Sequence, residues 1–259
     1  MKVLVTGGAG ALGRPLVRAL ARDGHAVRVM SRRARPASAP EGVEWASADL
    51  STGEGLGAAV ERVDAVIHAA TDVRRAEAVD VGGTRRLVEA ARAAGVAHLV
   101  YISIVGIDVI PFGYYRRKLA AEGIINASGV PSSTLRATQF HSLIDVGLSQ
   151  LARVPFVMPL PTGFKFQSVD EGEVAERLSA CVAAGPRGRL PDFGGPQLLT
   201  LDEMARTWKS ARGVTKRVVS LPLPGAVAAG FRAGKNTAPE GERGRISWEE
   251  WLARRAVAA

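Results

Sequence analysis

The run Thr6-Gly7-Gly8-Ala9-Gly10-Ala11-Leu12-Gly13 sets glycines at 7, 10 and 13, directly after an apolar stretch and at the head of a helical pattern. Each glycine answers a different physical demand. Gly7 permits a sharp exit from a strand, Gly10 lets backbone come close to a diphosphate, and Gly13 lets helix and sheet pack tightly. The opening turn of the following helix supplies unpaired N–H groups and the positive end of its dipole. Gly7, Gly10, Ala11, Leu12 and Gly13 are therefore the expected contacts for a dinucleotide. A glycine triplet in any other context would be no more than a flexible turn. The end of the second apolar stretch selects the nucleotide. A carboxylate there would bond the 2′-hydroxyl of NAD, whereas this chain has Ser31-Arg32-Arg33. A guanidinium fork suits the 2′-phosphate of NADP, so NADP(H) is expected over NAD(H), with Ser31 and Arg32 as its contacts. The alternative for the arginines is a solvated pair beside the loop 35–40.

Positioning such residues requires parallel strands alternating with helices, and the first two thirds of the chain read that way. Strands are expected at 2–6, 26–30, 43–46, 65–68, 98–103 and 133–137. Most are near-continuous runs of Val, Ile and Leu, as suits strands buried on both faces. Leu12, Leu16, Val17, Leu20 and Ala21 recur at helical spacing, with Pro15 in the first turn. Leu87, Val88 and Ala91 mark another helix, which Gly95 closes in the left-handed conformation. Past residue 140 the pattern loosens around Pro155, Pro159 and Pro161. Helices are expected at 171–183, at 201–211 and from Ser247, with a polar, mobile loop at 235–245. The expected fold is α/β, a Rossmann-type doubly wound parallel sheet over 1–140. A small C-terminal annex, 141–259, would pack on it and shape the substrate pocket.

Composition excludes several other classes. A chain of 259 residues, 47% hydrophobic and 23% charged, buries a full core and is not disordered. No apolar run approaches the ~20 residues of a membrane helix. The amino terminus turns into glycines without the apolar core of a secretory signal. Cys181 is the only cysteine, which rules out an internal disulfide and a cysteine-cluster metal site. With Val174 and Leu178 it forms one helical stripe and reads as core. His25, His68 and His98 show no metal spacing and read as structural. The net charge of +9 is scattered over arginines such as Arg18, Arg22, Arg62 and Arg92, and aromatics are only 5%. That pattern describes solvated helix faces, so no nucleic-acid partner is expected. A cytoplasmic protein with no membrane partner and no metal is expected.

Further motifs follow the glycine turn in order. They are Asp49-Leu50 after the third strand, His68-Ala69-Ala70-Thr71 after the fourth, and Gly83-Thr84 opening a helix. Then come the fifth strand ending in Ser103, Tyr114-Tyr115-Arg116-Arg117-Lys118, and Leu135-Arg136-Ala137-Thr138. Over residues 2–140 the chain resembles the short-chain dehydrogenase/reductase superfamily, in its atypical and extended NAD(P)-binding branch near the NmrA-like proteins. Two positions depart from that pattern. Ser103 comes earlier than the family's assisting serine or threonine, and Asp80 stands where extended members often have asparagine.

The resemblance implies a role for each matched residue. Asp49 would hydrogen-bond the adenine and Leu50 would pack on it, while Ala69 and Ala70 would line the ribose side. Tyr114 and Lys118, four apart on one helix face, would be catalytic with Ser103. The tyrosine would exchange a proton with the substrate oxygen. The lysine would depress the phenol's pKa and hold the nicotinamide ribose. Thr138 would face the nicotinamide, and Gln139, Phe140 and His141 the substrate. Tyr115 points about 100° away on the helix and would pack. Without the resemblance, Tyr114 and Lys118 are two residues of an amphipathic helix with Leu119, Ile124 and Ile125, and His141 is equally a packing residue. The implied activity is NADPH-dependent hydride transfer to a small carbonyl, quinone or related acceptor. A non-catalytic NADP-sensing regulator is the alternative. A nucleotide-sugar epimerase or dehydratase is disfavoured by the short C-terminal part and by Arg32. The expected partner is a small-molecule substrate, and the outer helices would allow a homodimer, as in many relatives.

Overall fold

The computed structural model describes residues 1–36 and 40–256. Its elements begin with β1 (Lys2–Thr6), α1 (Gly13–Arg22), β2 (Ala26–Ser31), β3 (Glu44–Ser47), α2 (Leu56–Val60) and β4 (Ala65–His68). A 3-10 turn (Val73–Arg75) and a π-helical stretch (Glu77–Gly82) then lead into α3 (Gly83–Ala93), followed by β5 (His98–Ile104), α4 (Gly113–Asn126) and β6 (Ser132–Ala137). Next come α5 (His141–Leu151), β7 (Val157–Pro161), β8 (Lys165–Phe166), α6 (Glu171–Ala184), β9 (Gly188–Arg189) and β10 (Phe193–Gly194). The chain continues through β11 (Leu199–Thr200), α7 (Leu201–Arg212), β12 (Arg217–Leu221), α8 (Ala226–Arg232), β13 (Glu242–Arg243) and α9 (Trp248–Ala256).

Among the described residues nine strands join one sheet in the order β13-β10-β6-β5-β4-β1-β2-β3, with β9 also paired to β6. The expected Rossmann-type sheet is present. β1 lies between β2 and β4 in parallel register, which sets Thr6 beside Met30 on one side and His68 on the other. His68 in turn lies beside Tyr101 of β5. The polar ends of these strands, not their apolar middles, form the row from which the site is built. Pro15 falls in the first turn of α1, and Gly95 closes α3 with φ of 68°. None of the helices among the described residues is long and apolar enough to cross a membrane.

The chain divides into two compact units that interleave in sequence. The first comprises Met1–Ser103, Gly113–Arg136 and Val174–Leu190; the second comprises Ile104–Phe112, Ala137–Glu173 and the chain from Pro191 on. Core residues of the first include Leu4, Val66, Leu87, Leu99, Tyr101 and Ile125. Those of the second include Leu148, Met158, Met204, Trp208, Trp248 and Trp251. The expected mobile loop at 235–245 is instead anchored. Asn236 is fully buried, the Ala238 N–H donates to Gln167 Oε1, and residues 242–243 pair with β10.

Candidate active site

The glycine turn leaves β1 and enters α1 as the spacing requires. Gly7 has φ of 72°, and a Cβ there would lie 2.8 Å from the Ala70 backbone. A Cβ on Gly13 would lie 2.1 Å from the Gly7 carbonyl oxygen and 2.5 Å from Gly8 Cα, so the turn closes on itself only without a side chain. Gly10 differs. Its Cβ would meet nothing nearer than Gly7 O at 3.2 Å, and Ala9, Gly10 and Ala11 are exposed. No side chain caps the first turn of α1, where the Arg14 N–H donates to the Gly10 carbonyl at 3.1 Å and Pro15 has no N–H; Leu12 is buried beneath the tip. Ala69 and Ala70 are small where their backbone passes over Gly7.

Beside the turn, the end of β2 carries half-buried Ser31 and exposed Arg32. Ser31 Oγ accepts the Arg33 N–H at 3.0 Å. Asp49 accepts both the N–H and the hydroxyl of Ser51, each at 2.7 Å. Burial pushes the Asp49 carboxyl up, yet these two bonds and the charges of Arg32 and Arg75 bring it below its ordinary value. Arg75, which donates to Ser51 Oγ at 3.0 Å, had no signal in the sequence, since only the 3-10 turn brings it here. Leu50 is a core residue packed against Gly83, whose Cβ would lie 2.8 Å from Leu50 Cβ.

Behind the turn runs a hydrogen-bond chain with one possible sense. Thr6 Oγ1 accepts the N–H groups of Ala69 and Ala70, so its own hydrogen goes to His68 Nδ1 at 2.8 Å. His68 Nε2–H then donates to Thr84 Oγ1 at 3.0 Å, and Thr84 donates to the Asp80 carbonyl. Burial drives the His68 pKa down to about 3, with the nearby Lys118 cation pushing the same way. His68 is thus the neutral, structural histidine expected from the sequence.

The Asp80 side chain begins a second chain. Its Oδ1 accepts the Thr71 hydroxyl at 2.6 Å, and its Oδ2 accepts the Asp72 N–H at 3.2 Å. With its hydrogen committed to Asp80, Thr71 Oγ1 accepts from the Tyr114 phenol at 2.7 Å. Tyr114 and Lys118 rise from one face of α4. Lys118 is buried; its Nζ donates to the Ile102 carbonyl at 3.1 Å, sits 4.3 Å above the Tyr101 ring and stands 4.0 Å from Asp80 Oδ1. Glu122, one turn further along that face, forms a bidentate pair with Arg136 of β6 at 2.8 and 2.7 Å. The pair is buried and fixes α4 against the sheet. Tyr115 is buried, as its place on the helix requires.

The expectation that Lys118 depresses the Tyr114 pKa is corrected here. Burial and the nearby Asp80 and Tyr115 push the phenol up to about 12. Lys118 instead spends its charge on Ile102, Tyr101 and Asp80, and burial pulls its own pKa down to about 8 against the pull of Asp80 and Glu122. Ser103 is buried within β5, and its Oγ has no hydrogen-bond partner among the described residues.

In the second unit, two residues expected at the nicotinamide or the substrate are bound into the fold. Thr138 is buried; its hydroxyl donates to the Gln167 carbonyl and its N–H to the Phe193 carbonyl. His141 is 1% exposed, packed beside the stacked rings of Trp248 and Trp251. Its Nε2–H donates to the Ile246 carbonyl at 3.1 Å and its Nδ1 accepts from Ser168 Oγ at 2.8 Å. Both nitrogens are occupied, so His141 presents nothing to a substrate, because the packing reading of this histidine prevailed. Gln139 is buried with Oε1 accepting from Asn236 Nδ2 at 3.0 Å, and Phe140 is half-buried at the head of α5. Cys181 is a core residue, touched by Arg177 at 3.5 Å.

A family model described as NAD(P)H-binding matches residues 7–154, more than half of the chain. The ceramide reductase of Caulobacter vibrioides is 29% identical over 246 residues, spanning 88% of this chain and 76% of that protein. The (4-alkanoyl-5-oxo-2,5-dihydrofuran-3-yl)methyl phosphate reductase of Streptomyces griseus is 29% identical over 231 residues, 88% of this chain and 79% of that one. In fold, the chain resembles an NADPH-dependent quinone oxidoreductase of Escherichia coli solved with NADPH. That match has a TM-score of 0.77 at 19% identity, covering 98% of this chain and 99% of the other. The matched span holds the open glycine turn, Arg32, Asp49, Asp80, Tyr114 and Lys118, and the chain belongs to the NAD(P)H-binding family.

Proposed function

We propose that this chain is an NADPH-dependent oxidoreductase that reduces a small carbonyl, quinone or related acceptor, with Tyr114 as its proton donor. The observation that carries the reading is the Tyr114 phenol, kept protonated far above neutral pH and placed four residues from a buried ammonium. A group so held can give a proton to a substrate oxygen that is gaining charge, which is the demand of reduction. The relatives support the same direction, since two are named reductases and the solved neighbour is an NADPH-dependent quinone oxidoreductase.

The residues fit a nicotinamide dinucleotide. The tip at Gly10 is open where a Cβ would meet only one atom, and the buried Ser103 Oγ has no hydrogen-bond partner among the described residues. When bound, the reduced nicotinamide supplies a hydride. The chain supplies the rest. Gly10, Ala11 and the head of α1 hold the diphosphate, and Arg32 meets the 2′-phosphate. Lys118 retains N–H groups for the ribose hydroxyls. Tyr114 transfers its phenolic proton to the acceptor oxygen and recovers it from water.

NADPH oxidation against a panel of carbonyls and quinones tests this. Tyr114→Phe is expected to lower kcat by about 100-fold or more while the NADPH Kd stays within about twofold. Tight NADPH binding by the wild type with no turnover on the panel would hand the reading to an NADP-sensing regulator.

A further inference from the structure

The proton on Tyr114 is not held by burial alone. Asp80 is 1% exposed, accepts the Thr71 hydroxyl at 2.6 Å and the Asp72 N–H at 3.2 Å, and lies in the π-helical stretch before α3. Such one-turn π insertions often mark functional positions. Thr71 has one hydrogen, and while the carboxylate takes it Thr71 can only accept from Tyr114. The phenol bond, at 2.7 Å, therefore runs from Tyr114 to Thr71 and cannot turn round to stabilise a phenolate.

We propose that Asp80, acting through the Thr71 hydroxyl, is a positioning residue that aims the Tyr114 O–H and keeps it protonated until an acceptor oxygen competes for it. The inference rests on the reading of Tyr114 as proton donor, and it deepens that reading. Other titratable or charged groups on the elements packed here include Tyr101 on β5, and Tyr115, Lys118 and Glu122 on α4. Of these, Lys118 is directed to Ile102 and Tyr101, and Glu122 is paired with Arg136. Asp80 is a carboxylate within the phenol's own hydrogen-bond chain, through the Thr71 hydroxyl. Tyr101 is held protonated by burial and by the same carboxylate.

The brace is tested by following the ring-carbon NMR signals of the three tyrosines, assigned by single Tyr→Phe changes, as pH rises to about 10.5. Wild-type Tyr114 is expected to show no ionisation in that range. Asp80→Asn removes the charge and weakens the acceptor that holds the Thr71 hydrogen, and is expected to lower the Tyr114 pKa by about one unit or more, a tenfold change in its ionisation constant, so that ionisation begins within that range. In a Thr71→Val background the same substitution is expected to move it less than half as far. An unchanged Tyr114 titration in Asp80→Asn, or an equal shift in both backgrounds, overturns the brace. Should Asp80→Asn not fold, exposed Thr71 decides: Thr71→Ser is expected to keep the wild-type titration and Thr71→Val to change it. Identical titrations in those two variants also overturn the proposal. This readout needs no turnover, so a Tyr114→Phe protein that still reduces its acceptor would remove the proton-donor reading and leave the brace to be judged separately.

Discussion

Single side chains here are fixed by where each hydrogen must go, and His68 is the clearest case. Thr6 spends its lone pairs on two backbone N–H groups, so the tautomer of His68 is dictated and neither nitrogen can take a second proton without breaking a bond. Folded His68 has a pKa of about 3, below the unfolded value of 6.5. The unfolded chain therefore binds a proton that the folded chain refuses between those pH values. The contribution to stability is complete above pH 6.5 and falls away as pH drops towards 3. The expected loss is about 1.4 kcal/mol per pH unit below 6.5 from this group. Urea unfolding at pH 6.5 and 4.5 checks it: His68→Gln is expected to start less stable and to lose about 2 kcal/mol less across the interval. Equal losses in both proteins would acquit His68. The motif residue was legible in the sequence, because a histidine ending a buried strand has a narrow set of uses. The sense of its hydrogen bonds was not, since Thr84 and Asp80 are brought to it by α3 and the π stretch.

Elements show the same division between what spacing reveals and what packing decides. The ends of β1 and β4, and the start of α6, match their expectations because apolar runs bounded by glycine or polar residues leave little freedom. The glycine triplet, too, is readable, yet its members differ in kind. Gly13→Ala forces a Cβ to within 2.1 Å of the Gly7 carbonyl and is expected to cost about 3 kcal/mol or more of stability. Gly10→Ala meets only one atom at 3.2 Å, and is expected to fold normally while binding NADPH more weakly. Denaturant midpoints beside NADPH titrations separate the two outcomes. By contrast, nothing in the residues announced that Glu122 and Arg136 would lock α4 to β6. They are 14 positions apart and buried only because the helix lies on the sheet. Breaking the pair on one side strands a buried charge, so Glu122→Ala is expected to cost about 3–5 kcal/mol. Glu122→Leu combined with Arg136→Met is expected to recover most of that, as measured by denaturant unfolding. A single substitution costing under about 1 kcal/mol would mean that the pair does not hold the helix bearing Tyr114 and Lys118.

For the molecule as a whole, the net charge of +9 concerns what it binds more than how it folds. NADPH differs from NADH by a phosphate, and the exposed end of β2 offers Arg32 where a carboxylate would repel it. A ligand that binds only the folded chain stabilises it by about 2.7 kcal/mol at a hundred times its Kd, so cofactor preference is readable as a difference in Tm. At equal concentrations NADPH is expected to raise Tm more than NADH, and Arg32→Ala to narrow the gap. High salt is expected to narrow it in the wild type as well, as it would for an exposed charge pair between Arg32 and the phosphate. Arg75 provides the internal control. It joins Arg32 in acting on the Asp49 carboxyl but reaches it from the 3-10 turn after β4. If Arg75→Ala rather than Arg32→Ala removes the gap, the phosphate is read by a residue that only the folded chain brings to the site. If neither changes it, the preference does not come from charge at this end of the sheet.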